Sequence, residues 1–366
     1  MLTAPEFLFV QVNKRCNLRC QHCDFWKQND DDRANYMPWK LKRGVLREFA
    51  DMRPNGKVVI CGGESMLDLE DYFAISRTCR EFGLKALSVI NGTRVRDVER
   101  ADRMIEEGPH EISVSLNSHR PELHDRTRGI KGAFDKAVKA LRLMIEARAR
   151  HPGSDTRIYA MGLVFDENHR ELESFYDFVL NDVGADKLKL NFLQPSFGQL
   201  DPEDRFFANH HNVDPDVVAE QIDQCDRRFG LGLNPVWREQ VRMYFRSLHH
   251  GMDLERGWAS SARTEEHICN TYERNIMLDH YGVARLCFST IFPGMEIRAP
   301  GDLRRFWASA EPIRREMSKC NRFCGISHSV RRETSTLASR RPTVPVRISP
   351  ASAARLVDLT YTFKMR

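Results

Sequence analysis

The amino-acid sequence predicts an α/β fold whose core is a parallel sheet, either curled or open. Between residues 7 and 195, short apolar runs alternate with stretches in which apolar residues recur at helical spacing. These runs are bounded by Gly, Pro or Asn, which is typical of buried parallel strands. The predicted strands are Phe7–Val12, Lys57–Cys61, Leu84–Ile90, Glu111–Leu116, Thr156–Phe165 and Lys187–Leu193. Six strands separated by helices are the pattern of a parallel α/β sheet.

Apolar stripes predict two of the helices between these strands. The stripe residues are Leu69, Tyr72, Phe73, Ile75 and Cys79 in one helix and Phe134, Ala137, Val138, Leu141, Met144 and Ile145 in the other. After residue 195 the pattern changes, and helices are predicted over 236–260 and 302–317. Between them, a hairpin is predicted to join Asn275–Leu278 to Val283–Phe288.

Composition and charge exclude several classes of protein. The chain has 366 residues, of which 41% are hydrophobic, so it can bury a substantial core. Its 56 Lys and Arg against 51 Asp and Glu give a net charge of +5. The last 36 residues hold eight basic and two acidic residues, a net of +6, so the other 330 carry −1. A nearly neutral body offers no broad surface for nucleic acid.

The sequence also argues against a membrane or secreted location. It contains no run of about 18 apolar residues, the length that a membrane-spanning helix needs. The N-terminus has neither the basic start nor the cleavage site of a signal peptide. We therefore expect a cytoplasmic protein whose thiols stay reduced.

Seven of the ten cysteines fall into two groups, and the first group follows the first strand directly. Cys16, Cys20 and Cys23 form a CxxxCxxC sequence on a loop at the edge where parallel folds carry their chemistry. Three thiolates suit a soft metal centre. A structural zinc ion needs four ligands, for which only His22 is a local substitute. A [4Fe–4S] cluster held by three cysteines would leave one iron open.

CxxxCxxC after the first strand resembles the radical S-adenosylmethionine (SAM) superfamily. The resemblance implies that the open iron binds the methionine part of SAM, and that one electron cleaves SAM to a 5′-deoxyadenosyl radical. Later segments are similar to further family motifs at successive strand ends. These segments are Cys61-Gly62-Gly63-Glu64-Ser65, Asn91-Gly92, Ser115-Leu116-Asn117, the His124–Gly129 segment and Leu193-Gln194-Pro195.

The resemblance implies a SAM-binding role for one set of residues and assigns no catalytic residue. That set is Gly62, Gly63, Glu64, Asn91, Ser115, Asn117, Arg128 and Leu193. Glu64 is expected to pair with the SAM ammonium group and Arg128 with its carboxylate. From the residues alone, Asn91-Gly92 is equally an ordinary turn, Arg128 a surface arginine, and Asn168 after the fifth strand a helix cap.

The second cysteine group comprises Cys269, Cys287, Cys320 and Cys324. Gly282 precedes Cys287 by five residues on the predicted hairpin, and this arrangement resembles the SPASM domain or its short form, twitch. The resemblance implies one auxiliary [4Fe–4S] cluster with no open iron. Structural zinc is the alternative, although the spacing is irregular for a zinc ribbon. His210-His211 and His249-His250 are predicted to be surface residues.

The resemblance implies a partial (β/α)₆ barrel, similar to a TIM barrel, with a small C-terminal α+β domain for the auxiliary cluster. The predicted domain boundaries give the radical SAM core 1–195, a connecting segment 196–260, the auxiliary-cluster domain 261–330 and a basic tail 331–366. An electron donor of the flavodoxin or ferredoxin type is implied as a partner.

The leading functional hypothesis is a radical SAM oxidoreductase that abstracts hydrogen from a small molecule resembling a sugar or cyclitol, with the auxiliary cluster taking the electron. A maturase of ribosomally made peptides is the alternative. Because the cysteine motif begins at residue 16, we expect no preceding leader-binding module, which favours a small molecule or a peptide delivered by a separate protein. We also expect no preceding cobalamin-binding domain, which argues against cobalamin-dependent methylation. A third hypothesis is a non-enzymatic, zinc-stabilised module whose basic tail binds nucleic acid.

Overall fold

A computed structural model describes residues 4–27, 32–194, 204–251, 267–269, 271–288, 292–318 and 329–331. All six predicted core strands are present, and each agrees with the sequence prediction to within one residue at either end. They are β1 (Phe7–Gln11), β2 (Lys57–Cys61), β3 (Lys85–Ile90), β4 (Glu111–Ser115), β5 (Arg157–Val164) and β6 (Lys187–Phe192).

Helices connect successive strands, as the alternating pattern predicts. They are α1 (Trp39–Met52), α2 (Leu69–Glu81), α3 (Val98–Glu106), α4 (Pro121–Arg128), α5 (Ala133–Arg150) and α6 (Leu172–Asp177). A short π-helical segment, Phe178–Asp182, continues α6. The two predicted stripes lie on α2 and α5, and most of their residues are buried in the main hydrophobic core.

The six core strands pair in chain order, and every pair is parallel. Val10 lies opposite Ile60 in the first pair, and Val164 lies opposite Phe192 in the last. Since parallel neighbours joined by helices place all strand C-termini at one edge, the loops that follow the strands are gathered there. The sheet is not closed, which confirms the predicted partial barrel.

The two faces of the core sheet differ in burial. Helices cover the outer face, whose side chains are fully buried and include Leu8, Val10, Val58, Ile60, Ala86, Ile112, Val114, Ile158, Ala160 and Leu188. Alternate residues point to the inner face and stay half-exposed: Phe9, Val59, Leu87, Val89, Ser115, Tyr159, Met161, Leu163 and Lys189. This period-two alternation leaves the concave inner face accessible.

The second half of the chain is built mainly from helices and short strands. Its helices are α7 (Arg205–His210), α8 (Pro215–Phe229), α9 (Pro235–Gly251), α10 (Thr271–Arg274), α11 (Asp302–Ser309) and α12 (Glu311–Ser318). Its strands are β7 (His267–Cys269), β8 (Asn275–Leu278), β9 (Val283–Arg285), β10 (Met295–Glu296) and β11 (Ser329–Arg331). β7 and β11 form a separate two-stranded antiparallel sheet.

The hairpin of β8 and β9 extends the core sheet. The sequence predicts the hairpin as part of a separate C-terminal domain, but β8 pairs in parallel with β1, with Phe7 opposite Asn275. The full strand order is β10-β9-β8-β1-β2-β3-β4-β5-β6. The hairpin thereby satisfies the backbone groups along the free side of β1, which would otherwise form an exposed sheet edge.

The helix predicted over 302–317 is two helices, α11 and α12, that meet at Ala310. Pro312 explains the break, because proline has no N–H to donate and its ring clashes with the preceding turn of a continuous helix. The predicted tail after residue 331 lies outside the described residues. In the described part of the chain, no helix has the length and hydropathy needed to cross a bilayer.

Candidate functional site

The CxxxCxxC loop follows β1 at the C-terminal edge of the sheet. Its three cysteines pack around Leu18 together with Ile130, which follows α4, and Ala133, the first residue of α5. None of the three forms a disulfide. The sequence-predicted cysteine trio is therefore gathered at one place.

Two thiols of this trio are held in an environment that disfavours their charged form. The pKa of Cys16 and of Cys23 is raised to about 12, mainly by burial and in smaller part by the neighbouring thiols. Thiolates in such a place require a cationic centre.

The Gly62-Gly63-Glu64 segment packs directly against the start of the cysteine loop. The amide of Gly63 donates to the Asn13 carbonyl at 3.1 Å, and that of Glu64 donates to the Arg15 carbonyl at 2.6 Å. A Cβ atom at residue 63 would clash with the Arg15 carbonyl. The structural reason for glycine here is therefore the close approach of two backbones.

Glu64 is almost fully buried, with 2% of its surface exposed. Its carboxylate accepts hydrogen bonds from the amides of Met66 at 3.0 Å and of Asn91 at 2.7 Å. Burial raises the pKa of Glu64 to about 7, against the lowering effect of these hydrogen bonds and of Arg128. A cationic group placed beside this carboxylate would restore its charged form.

Asn91 connects the loop after β3 to the cysteine loop. Its Nδ2 donates to Oδ1 of Asn17 at 2.8 Å, and its Oδ1 accepts from the amide and hydroxyl of Thr93. Asn17 in turn donates to the Thr93 hydroxyl at 2.7 Å. The Asn91-Gly92 turn is therefore also a brace for the cysteine loop.

The C-terminal end of α4 holds the other side of the cysteine loop. The amides of Arg19 and Gln21 donate to the carbonyls of Arg128 and Thr127, at 3.1 and 3.0 Å. Gly129 ends α4 with a left-handed backbone (φ 69°), and a Cβ atom there would clash with the Arg19 carbonyl. Glycine satisfies both requirements at once.

Arg128 reaches into the site and is 8% exposed, so it is not the surface arginine that its sequence alone permits. Its Nη1 lies 3.6 Å from Sγ of Cys20, and its Nη2 donates to Oδ1 of Asn117 at 2.9 Å. Asn117 also donates through Nδ2 to the Thr127 hydroxyl. Its backbone amide donates to Nδ1 of His124 at 3.0 Å. The segments predicted as separate motifs thus form one buried hydrogen-bond network.

The remaining predicted SAM-binding residues lie at strand ends. Ser115 is the last residue of β4, half-exposed on the inner face. Leu193 follows β6 and is buried, with its carbonyl accepting from the hydroxyl of Tyr244 at 2.5 Å. Asn168 caps the loop after β5, because its Oδ1 accepts from the Phe165 amide while its Nδ2 donates to the Asn117 carbonyl.

Sequence reasoning missed two groups near the site. Nδ2 of Asn13 donates to Asp68 at 2.6 Å, and Asp68 also accepts from Arg15 and Arg33.

The second group is Asp166, Glu167 and His210, whose ligand-type atoms lie within 4.8 Å of one another. His210 was expected on the surface but is half-buried, with Nδ1 2.9 Å from Asp166. No local sequence signal joins residues 44 positions apart.

Of the second-group cysteines, Cys287 lies just beyond β9, toward the opposite edge of the sheet. β9 runs antiparallel to β8, so the chain leaves β9 toward the N-terminal end of β1. There the ring of Phe288 contacts that of Phe9 at 4.7 Å, next to the half-buried Cys287. Cys269 ends β7, six residues before β8 begins. Cys320 and Cys324 lie outside the described residues.

Comparison with known proteins decides the family. Residues 10–179 match the family described as the Radical SAM superfamily. These residues form a radical SAM domain. The chain is therefore an enzyme, and SAM and [4Fe–4S] chemistry are confirmed for its core.

Relatives are similar mainly through the core of this radical SAM protein. Fe-coproporphyrin III synthase of Methanosarcina barkeri is 32% identical over 130 residues, 36% of this chain and 31% of that protein. The subtilosin biosynthesis protein AlbA of Bacillus subtilis is 25% identical over 295 residues, 79% of this chain and 56% of AlbA. The chain spans 31–41% of the length of the first three curated relatives.

Solved structures share the fold over most of the chain. The protein anSMEcpe with bound AdoMet has a TM-score of 0.59 at 14% identity, covering 86% of this chain and 83% of that one. Streptococcus suis SuiB bound to the precursor peptide SuiA has a TM-score of 0.54 at 16% identity, covering 78% and 60%. Both matches extend beyond the core, as does the match to AlbA, in agreement with the predicted SPASM-type C-terminal domain.

The residues at the core site fit the cofactors of the superfamily. Nε of Arg128 and Nδ1 of His22 are buried and have no hydrogen-bond partner among the described residues. Such orphaned polar groups are costly unless a ligand satisfies them. Together with three thiols that need a cationic centre, they fit an iron–sulfur cluster and an anionic or zwitterionic ligand beside it.

Proposed function

We propose that the protein is a radical SAM oxidoreductase that oxidises a small, sugar-like or cyclitol-like molecule. The observation that carries this proposal is the placement of the first cysteine group and of Cys287. Cys16, Cys20 and Cys23 follow the C-terminal end of β1, whereas Cys287 lies toward its other end. An accessible concave face lies between these two edges. A substrate held on that face would lie between two redox centres.

In this proposal, Cys16, Cys20 and Cys23 ligate the first cluster, and SAM binds beside it. When bound, the cluster and SAM supply a 5′-deoxyadenosyl radical that abstracts hydrogen from the substrate. Glu64 binds the ammonium group of SAM, because two backbone amides already fix its carboxylate in a buried place. Arg128 binds the SAM carboxylate through its buried guanidinium.

The other predicted residues position this site. The backbones of Gly62 and Gly63 hold the cysteine loop, and Asn91 braces it through Asn17. Asn117 orients the Arg128 guanidinium through Oδ1. Ser115, on the inner face at the end of β4, contacts the ribose of SAM. Leu193 borders the adenine through its backbone.

The auxiliary cluster is assigned to Cys269, Cys287, Cys320 and Cys324. Four protein thiolates leave no iron open, so this cluster serves as an electron acceptor rather than a substrate ligand. Cys287 is next to Phe288, whose ring contacts that of Phe9 at 4.7 Å. An acceptor held there would lie close enough to the inner face to take the electron of a substrate radical.

A peptide maturase is the second candidate. It is favoured by the relatives AlbA, a bacteriocin biosynthesis protein, and SuiB, which is solved with a precursor peptide. An open inner face also accommodates a peptide segment. The zinc-stabilised binding module is not supported, because the family and its relatives are enzymes. An electron donor of the flavodoxin or ferredoxin type and a cytoplasmic location complete the proposal.

Replacing Cys287 tests the oxidoreductase proposal. Cys287→Ala should lose the auxiliary cluster and still cleave SAM to 5′-deoxyadenosine, while product formation collapses because the substrate radical has no oxidant. Cys225→Ala, a change in the buried face of α8 outside both cysteine groups, is the matched control. Iron content, 5′-deoxyadenosine and product are measured on anaerobic protein.

A folded far-UV signal is required of both variants, since metal binding couples to folding. Product formed at the wild-type rate by a folded, iron-depleted Cys287→Ala protein would contradict the proposal. The auxiliary cluster would then be structural, and a redox-neutral rearrangement would replace the oxidation.

A further inference from the structure

The wall of the inner face formed by β4, β5 and β6 carries a pair of opposite charges. Glu111 begins β4 and is paired with Arg157 of β5, while Lys189 of β6 is paired with Met161. Alternate residues of a strand share a face, so Arg157, Tyr159 and Met161 point the same way. Glu111, Tyr159 and Lys189 therefore all project from the inner face.

The three side chains contact one another. Nζ of Lys189 lies 3.0 Å from Oε2 of Glu111 and 4.1 Å from the centroid of the Tyr159 ring. The Lys189 and Glu111 side chains are 29% and 35% exposed, which places them within the concave surface but still open to a ligand. The arrangement joins a cation, an anion and an aromatic face.

The stability of the fold alone gives little reason to hold these charged groups half-buried beside the Tyr159 ring. Burial lowers the pKa of Lys189, which Glu111 partly offsets by its charge and hydrogen bond. Burial likewise raises the pKa of Tyr159. An ion pair with this much exposure contributes only about 0–1 kcal/mol to stability, so the fold gains little from it. On the outer face of these strands the equivalent positions are apolar, as Ile158, Ala160 and Leu188 show.

We propose that Glu111, Lys189 and Tyr159 form a substrate-binding subsite for a ring that carries hydroxyl and amino groups. Lys189 has three donor hydrogens and Glu111 four acceptor positions, so their mutual hydrogen bond leaves both able to bind a ligand. A ring with adjacent hydroxyl or amino groups presents an acceptor to Lys189 and a donor to Glu111. The Tyr159 ring covers the apolar C–H face of the same ligand.

The subsite rests on the proposed function, because it specifies the polar groups that would hold the proposed small substrate. It lies on the inner face between the edge that carries the first cysteine group and the opposite edge. Ser115 pairs with Met161, and Met161 with Lys189, so the Lys189 backbone is level with the end of β4. The Lys189 ammonium reaches back to Glu111 at the start of β4, so a ligand bound to both charges is held toward the N-terminal end of the inner face.

Saturation-transfer NMR on anaerobically reconstituted full-length protein tests the subsite. The probes are myo-inositol, glucosamine, 2-deoxystreptamine and a short serine-containing peptide. Lys189→Met removes the ammonium at similar length, and Glu111→Gln removes the negative charge at the same shape. Lys136→Met, on the exposed side of α5, is the matched control. Thermal unfolding verifies that each variant is folded.

We expect at least one of the amino or hydroxyl ring compounds to bind wild type and Lys136→Met equally, and at least tenfold more weakly to Lys189→Met and Glu111→Gln. Equal binding by all four proteins, no binding of any ring compound to wild type, or binding of the peptide alone would overturn the subsite. The proposed function fails separately, when wild type binds a ring compound but forms no 5′-deoxyadenosine with SAM and reductant.

Discussion

Glu64 has two tasks that substitution can separate. Its carboxylate binds two backbone amides and is proposed to bind the SAM ammonium group. The two amides bond different oxygens of Glu64, so Glu64→Gln keeps an acceptor for one of them and loses the charge. We expect its SAM affinity to fall by about 2–5 kcal/mol, the usual effect of removing one partner of a buried charge pair. Equilibrium SAM binding measures the loss.

Glu64→Ala is the companion variant. It also leaves the amides of Met66 and Asn91 unsatisfied, which costs a further 1–3 kcal/mol or so of folding stability. Iron content should stay at the wild-type level in Glu64→Gln, since its carboxylate is no cluster ligand. SAM affinity unchanged from wild type in both variants would mean that the Gly-Gly-Glu segment is only a loop contact.

His124 predicts a pH dependence of stability. It is 1% exposed and accepts the Asn117 amide through Nδ1, and burial lowers its pKa from 6.5 to about 2. Because the folded-state pKa is the lower one, the stability that this group contributes is present above pH 6.5. It is lost as pH falls, by up to about 1.4 kcal/mol per pH unit.

His124→Gln is the matched variant, since its amide oxygen accepts the same hydrogen bond without titrating. We expect the free energy of unfolding of wild type to drop more steeply than that of His124→Gln between pH 6 and 4. Denaturant titrations at both pH values measure the difference. Parallel pH profiles for the two proteins would show that the imidazole does not stay neutral in the folded state.

At the residue scale, the sequence identifies side chains whose chemistry is unusual and misses those whose role is contact. The cysteine trio and Glu64 stand out by type and spacing. Asn13 and Asp68 do not, because Asn and Asp are ordinary turn residues. Only the fold brings them together, across 55 positions of sequence. Their hydrogen bond fixes the start of the cysteine loop against the loop after β2.

Neighbouring elements contact the cysteine loop through their backbones, and Gly129 permits one of the closest of these contacts. Gly129 and Gly132 both have left-handed backbones, with φ of 69° and 77°. A Cβ atom at residue 129 would strike the cysteine loop, whereas one at residue 132 has no atom within 4 Å. Comparing alanine substitutions at these two glycines therefore separates the effect of backbone strain from the effect of displacing the cysteine loop.

We expect Gly129→Ala to lose iron from the first cluster, while Gly132→Ala keeps it. Both changes cost about 1 kcal/mol for an alanine in the left-handed region. Only Gly129→Ala must also move the Arg19 backbone. Iron per chain after anaerobic reconstitution, together with the free energy of unfolding, tests this. Equal iron in the two variants would show that the loop tolerates displacement.

The core strands are predictable because burial on a parallel sheet imposes a continuous local pattern. The position of the hairpin is not, because pairing of β8 with β1 joins residues 268 positions apart, Phe7 and Asn275. β-Propensity indicates where a strand forms, but it does not indicate which other strand it pairs with. Likewise, apolar spacing predicts a helix over 302–317, and only the chemistry of Pro312 divides it.

At the scale of the whole molecule, β1 links the parts of the proposed mechanism. Its C-terminal end leads into the first cysteine group, its free side pairs with the hairpin that carries Cys287, and its inner face borders the concave surface. In the proposed mechanism, one continuous sheet therefore positions the first cysteine group and Cys287. This explains how a substrate on the inner face could exchange a hydrogen atom at one edge and an electron toward the other.

The central claim is that Cys16, Cys20 and Cys23 hold the cluster at which SAM is cleaved. The most direct measurement compares wild type with a variant in which all three are alanine, reconstituted anaerobically and given SAM and a reductant. Wild type should hold about eight irons per chain, in two four-iron clusters. The variant should hold about half of that and form no 5′-deoxyadenosine. Iron retained in full, or SAM cleaved at the wild-type rate, would contradict the account.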